Sequence, residues 1–261
     1  MSKIISVTNQ KGGVGKTTTA VNLSACLATM GYRTLLIDFD PQGNASSGVG
    51  IEREDLPVSV YDVLAGRSTV QQAIQPTRVD NLWILPSRTE LAAAEVELVG
   101  EPRREFALQD ALGSSVASYD YVFIDCPPSL SLLTLNALVA SDSALVPIQA
   151  EYYALEGVAR LLDTITMIRQ GPNPHLAIEG MVLTMHDGRM NLCRQVESEV
   201  REHFADHAFA TMIPRNVRLS EAPSFGDPII MYDIESRGAQ SYMELAREFV
   251  DRNIAAPTQP H

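Results

Sequence analysis

Apolar residues fall into short runs of four to seven, separated by stretches in which they recur every three or four positions. The runs at residues 4–7, 33–38, 82–85, 119–125, 144–148, 178–184 and 209–213 predict strands. Between them, helical spacing predicts helices over 20–28, where Ala20, Leu23 and Leu27 share a face, and over 58–64, 69–74, 91–98, 106–116, 131–140, 155–169, 191–203 and 236–253. Gly31 and the string Gly171-Pro172-Asn173-Pro174 are helix stops, and Trp83 reads as core. Strands alternating with helices imply an α/β fold, a doubly wound, mostly parallel sheet flanked by helices. There is no internal repeat or linker. One domain is expected over 1–253, followed by a frayed polar tail over 254–261.

Sheets of this kind bind ligands beyond the carboxyl ends of their strands. After the first strand comes Lys11-Gly12-Gly13-Val14-Gly15-Lys16-Thr17-Thr18, leading into the first helix. Glycines let the backbone curl so that several N–H groups point inward, with no Cβ to block an anion. The helix N-terminus adds partial positive charge. The pattern G-x-x-x-x-G-K-[ST] assigns Lys16 to the β- and γ-phosphates and the Thr17 hydroxyl to Mg²⁺. The fit is incomplete, since Gln10 stands where that pattern has glycine and a second lysine, Lys11, sits at the mouth of the loop. The alternative is a glycine-rich turn with two solvated lysines. Lysine usage weighs against it: Lys3, Lys11 and Lys16 are the only lysines in the chain, against seventeen arginines, and two of the three lie in this loop.

Two further strands end in acids. The run 33–38 leads into Asp38-Phe39-Asp40-Pro41-Gln42-Gly43-Asn44, and strand alternation puts Asp38 and Asp40 on one side if it persists that far. Such acids either orient water and metal or are solvated turn residues, and spacing does not decide between the two. The run 119–125 ends in Asp125, followed by Cys126-Pro127-Pro128-Ser129, which downstream of a phosphate loop fits the element whose Asp helps to hold Mg²⁺. Cys126 reads as a small buried residue, because no His partner is identifiable.

The 261 residues are 45% hydrophobic, as in a soluble globular protein with ample core. No run of about 18 apolar residues predicts a membrane span, and no secretory signal is expected. Cys26, Cys126 and Cys193 form neither a disulfide framework nor a zinc spacing, which suits a reducing cytoplasm. A formal charge of −12 excludes a surface that is basic all over, so any nucleic-acid contact must be a local patch.

The loop over 11–18, the string from Asp38 to Asn44, Ile124-Asp125-Cys126-Pro127-Pro128-Ser129, Glu151-Tyr152-Tyr153-Ala154-Leu155-Glu156-Gly157 and Ile213-Pro214-Arg215-Asn216-Val217-Arg218-Leu219-Ser220-Glu221-Ala222-Pro223-Ser224 together resemble the ParA/Soj family over about residues 1–250. These are chromosome- and plasmid-partitioning ATPases of the P-loop class with a deviant Walker A loop. The resemblance implies that Lys11 reaches across an ATP-bound homodimer to the partner's phosphates, that Asp40 positions the attacking water, that Thr17 binds Mg²⁺ and that Asp38 lies in its second shell. It places Met185, Pro214 and Asn216 against the adenine, although residue by residue Met185 and Pro214 read as plain core or turn. It assigns Arg189 and Arg218 to sequence-independent DNA binding, whose alternative is a solvated or salt-bridged arginine. No DNA-reading extension is expected before the loop, which resembles the short chromosomal type in this respect.

The expected function is an ATP-driven, dimerising, DNA-binding switch, stimulated by a ParB-like partner, cytoplasmic and nucleoid-associated. A MinD-like membrane switch would need a basic amphipathic terminal helix, whereas the final helix region carries Glu235, Glu244, Glu248 and Asp251 among few arginines. A metabolic ligase of the dethiobiotin-synthetase kind would need a small-molecule pocket for which no motif is visible. An iron–sulfur reductase would need a cysteine pair that Cys126 alone does not supply.

Overall fold

The computed structural model describes residues 2–52, 56–151 and 154–255. Tyr152 and Tyr153 of the family string, and residues 256–261 of the expected tail, lie outside the described residues. Seven strands, β1 (Lys3–Val7), β2 (Thr34–Asp38), β3 (Gln75–Pro76), β4 (Leu82–Leu85), β5 (Tyr121–Asp125), β6 (Ser143–Gln149) and β7 (Ala177–Thr184), form one sheet in the order β3-β4-β2-β5-β1-β6-β7. All pairings are parallel except that of the two-residue edge strand β3 with β4.

Both faces are covered, so the central strands are apolar throughout rather than alternating. On one face Ile5, Leu36, Phe123 and Val182 pack with Leu23 and Leu27 of the helix Lys16–Thr29 and with Leu245 and Phe249 of the final helix Arg237–Ala255. On the other, Leu35, Ile37, Val122 and Ile124 meet Val60, Leu108, Leu112 and Leu133. Further along that face Val146, Ile148 and Leu183 meet Leu161 and Ile165, with Val196 and Val200 beyond. The final helix is also tied to the amino ends of the strands. Glu179 of β7, whose side chain is 5% exposed, accepts from Ser143 Oγ (2.6 Å) and Asn253 Nδ2 (2.8 Å) and pairs with Lys3.

The expected strand at 209–213 is not formed. That segment runs beside β7 with only isolated bridges, Met181 to Ala208 and His186 to Pro214. Phe209 N and Ile213 N do donate to Met181 O and Leu183 O, but the Glu248 carboxylate takes the N–H groups of Ala210 (2.7 Å) and Thr211 (2.8 Å), so the chain between them cannot ladder. Its entry is fixed by Phe209 lying over Gly180, where a Cβ would collide with the ring. The expected helix over 106–116 is interrupted: a helix at Ala107–Leu112 is flanked by 3₁₀ turns at Arg104–Phe106 and Gly113–Val116.

Candidate nucleotide site

The connection from β1 to the first helix is the phosphate loop. Gly13 (φ 75°) and Gly15 (φ 85°) hold the left-handed backbone that the curl requires. The helix starts at Lys16, with Gly15 O accepting Thr19 N at 2.8 Å. The loop is braced from two sides. Asn9 Oδ1 accepts Lys11 N (3.0 Å) while Asn9 Nδ2 donates to Pro147 O (2.8 Å), and Thr184 Oγ1 donates to Val14 O (2.8 Å). Asn9 and Thr184 carry no motif signal; their roles emerge only because β6 lies beside β1 in the sheet and β7 beside β6.

Lys16 is 6% exposed, and its ammonium donates to Lys11 O at 3.0 Å. Burial lowers its pKa from the usual lysine value, opposed by the nearby Asp125, Cys126 and Asp40. Lys11, at the loop mouth, donates to Glu151 Oε2 at 2.6 Å, and Glu151 also accepts from Gln149 Nε2. Glu151 lies in a string that the sequence reading singled out, but its pairing with Lys11 was not foreseen.

Asp38, Asp40 and Asp125 converge here, Asp38 and Asp125 as direct register partners on β2 and β5. All three are buried. Asp38 Oδ2 accepts from both Ser46 N and Ser46 Oγ (2.7 Å each), and Oδ1 from Asp40 N (3.3 Å). Burial raises the Asp38 pKa to about 6, Ser46 opposing the rise. Asp40 Oδ1 accepts Gln42 N (2.9 Å). Asp125 differs. The Thr17 hydroxyl faces it, yet neither carboxylate oxygen has a well-formed hydrogen bond. Burial, then the neighbouring Asp38, push its pKa well above the usual carboxylate range. A buried carboxylate with no well-formed hydrogen bond, opposite a hydroxyl and beside an anion-binding loop, is a donor set that fits a hard divalent cation.

A cleft of about 260 Å³ opens beside Gly15 and Thr18. Met185, Pro214 and Asn216 all line it, so the three residues expected at the base share one wall system with the loop. Met185 has a φ of 51°, unusual for a non-glycine residue. Asn216 Oδ1 caps the short helix Val217–Glu221 by accepting Arg218 N (2.8 Å).

Neither of the two arginines expected at DNA lines the cleft beside the phosphate loop. Arg189 forms a two-pronged pair with Asp187 (2.9 and 2.7 Å) and its side chain is 90% exposed. It lines a groove that also contains Arg215 and Arg237, two arginines the sequence reading did not single out. Arg218 pairs with Glu221 (2.9 Å) and Asp233 (3.4 Å). No helix among the described residues is long and apolar enough to cross a membrane.

Residues 2–178 match the family model described as an AAA domain. Sporulation initiation inhibitor protein Soj of Bacillus subtilis is 56% identical over 248 residues, covering 95% of this chain and 98% of that protein. Chromosome partitioning protein ParA of Myxococcus xanthus is 53% identical over 253 residues, covering 97% and 89%. Among solved structures, cobyrinic acid a,c-diamide synthase from Mycobacterium smegmatis with bound ADP and magnesium superposes with a TM-score of 0.86 at 36% identity, covering 100% of this chain and 98% of that one.

Proposed function

The chain belongs to the ParA/Soj family of chromosome-partitioning ATPases, and we propose that it works as a nucleotide-driven dimerising switch that holds DNA in its ATP state and releases it after hydrolysis. The observation that carries this reading is the unpartnered Asp125 carboxylate facing Thr17 beside a glycine loop with two ammonium groups.

In this reading residues 11–18 cradle the phosphates of ATP, with Lys16 on the β- and γ-phosphates. The cleft of Met185, Pro214 and Asn216 takes the adenine. Thr17 and Asp125 hold magnesium, with Asp38 behind them. A magnesium ion held there would supply charge neutralisation for the phosphates. Asp40 orients the attacking water. Lys11 leaves Glu151 and reaches the phosphates of a second copy. Both side chains of the Lys11–Glu151 pair are more than a third exposed, at 36% and 46%, and such a pair is worth about 0–1 kcal/mol. A multiply charged phosphate in a closed, low-dielectric interface offers Lys11 more than that, so exchange of partners favours the dimer.

Arg189 and Arg218 are proposed DNA-phosphate contacts, with Arg215 and Arg237 in the Arg189 groove. Dimerisation doubles the patch and makes retention steeply salt-dependent. A ParB-like partner stimulates hydrolysis, the work lies in the population shift between states, and the dimer is nucleoid-associated. The solved neighbour named for cobyrinic acid amidation is 36% identical, against 56% for Soj, and the partitioning reading follows the higher identity.

DNA retention on a column or biosensor with ATP, ADP and no nucleotide tests this directly. Retention confined to ATP is expected; equal retention in all three conditions, or turnover that demands an added metabolite, refutes it.

A further inference from the structure

Two buried carboxylates sit side by side at the ends of β2 and β5, and the protein treats them differently. Oδ2 of Asp38 accepts two hydrogen bonds of 2.7 Å from one residue, Ser46, through its backbone N–H and its hydroxyl. Two such bonds use both lone pairs of that oxygen. Oδ1 accepts a third bond, from Asp40 N. Asp125 has no well-formed bond on either oxygen, and the one donor facing it is the Thr17 hydroxyl. Ser46 is itself fixed: it is 0% exposed, and its Oγ accepts Ser87 N at 3.0 Å from the segment after β4. It therefore joins the ends of β2 and β4 at one point, on the short helix Asn44–Gly48 that follows the Asp40 turn.

We propose that Ser46 is a positioning residue for the magnesium site, committing Asp38 to the protein and leaving Asp125 as the carboxylate whose oxygens are free for the cation. The inference deepens the proposed nucleotide site and rests on that reading. A carboxylate that already accepts three hydrogen bonds gains less by taking a cation than a buried one with no well-formed bond, which has most of its desolvation cost still to recover. Without the Ser46 hydroxyl, Asp38 loses one of two bonds on Oδ2, and Ser87 N loses its acceptor. Asp38 is then no longer held off the cation, and the division between the two acids is lost. Removing a residue that orients a metal's surroundings in this way typically lowers metal affinity or activity by about 10–100-fold.

The test is equilibrium binding of a fluorescent ATP analogue to the full chain, in excess Mg²⁺ and in EDTA. In the wild type Mg²⁺ tightens binding. Ser46→Ala, and Ser46→Cys, which keeps the volume but is a weak donor and acceptor, are expected to lose about tenfold or more of that Mg²⁺-dependent gain while binding the analogue in EDTA as the wild type does. The Cys variant guards against a packing defect in the Ala variant, and a thermal melt of each confirms folding. A Mg²⁺-dependent gain equal to that of the wild type in both variants overturns the proposal, as does an equal loss with and without Mg²⁺, which would mark general damage. A wild type whose affinity ignores Mg²⁺ would instead bring down the nucleotide-site reading itself.

Discussion

Asp38→Asn removes the titration of one of the two buried acids, and the consequence can be worked through. The Asp38 pKa is raised to about 6 in the folded chain from the ordinary aspartate value of 3.8, chiefly because burial disfavours the carboxylate. An acid raised on folding binds its proton more tightly in the native state, so its contribution to stability is full below the unfolded pKa and is lost as pH rises through the folded one. The shift, converted at 1.36 kcal/mol per pKa unit, amounts to ~3 kcal/mol across the window from below pH 4 to above pH 6. Asparagine can still accept from Ser46, but its amide group faces the Asp40 N–H, and that cost is independent of pH. The pH dependence of the difference between variant and wild type therefore isolates the carboxylate. Asp125 moves in the same direction, since Asp38 is its second-largest upward influence. Urea denaturation without nucleotide or magnesium, from pH 4 to 8, should show the variant gaining roughly 2–3 kcal/mol on the wild type as pH rises, most of the full shift. A difference that stays flat or falls with pH would show that Asp38 is not a buried, raised acid.

Further consequences attach to other parts of the molecule. Glu151→Gln releases Lys11, and because a dimer breaks two such exposed pairs, each worth at most about 1 kcal/mol, ATP-dependent dimer formation measured by sedimentation should strengthen by less than about thirtyfold; abolished dimerisation would give Glu151 a direct part in the interface. Arg218→Glu should preserve the ATP-dependent mass change but lose DNA retention in a salt titration, and unchanged retention would remove Arg218 from the DNA surface. Glu179→Ala strips the acceptor from Ser143, Asn253 and Lys3, costing about 1–3 kcal/mol in urea denaturation with nucleotide binding unchanged; a cost near zero would show that this cluster does not anchor the final helix.

The central strands and the placing of acids at their ends were legible because apolar runs bounded by turn residues have few alternatives. The segment Asn44–Gly48 was not, since its residues Asn44, Ala45, Ser46, Ser47 and Gly48 carry no apolar period. Its order derives from the Asp38 carboxylate capturing Ser46, a contact between positions eight residues apart. Phe209 to Ile213 misled in the opposite sense: the residues suit a strand, but Glu248, nearly forty positions later, takes the donors a strand needs. The phosphate loop and its acids could be read from motif spacing, whereas the bracing by Asn9, Thr184 and Glu151 could not, because it depends on β6 lying beside β1 and β7 beside β6. Arg215 carries no signal beyond its place in the family string, and Arg237 is indistinguishable in sequence from any charge on the polar face of a helix.

The dependence of assembly on an intact triphosphate is tested most directly by the molar mass of Asp40→Ala, from light scattering, in saturating Mg-ATP and again in Mg-ADP. Loss of the residue proposed to orient water should trap a particle of twice the chain's mass, 57 kDa against 28.5 kDa for one copy, in ATP alone. A monomer in both nucleotides would contradict the switch.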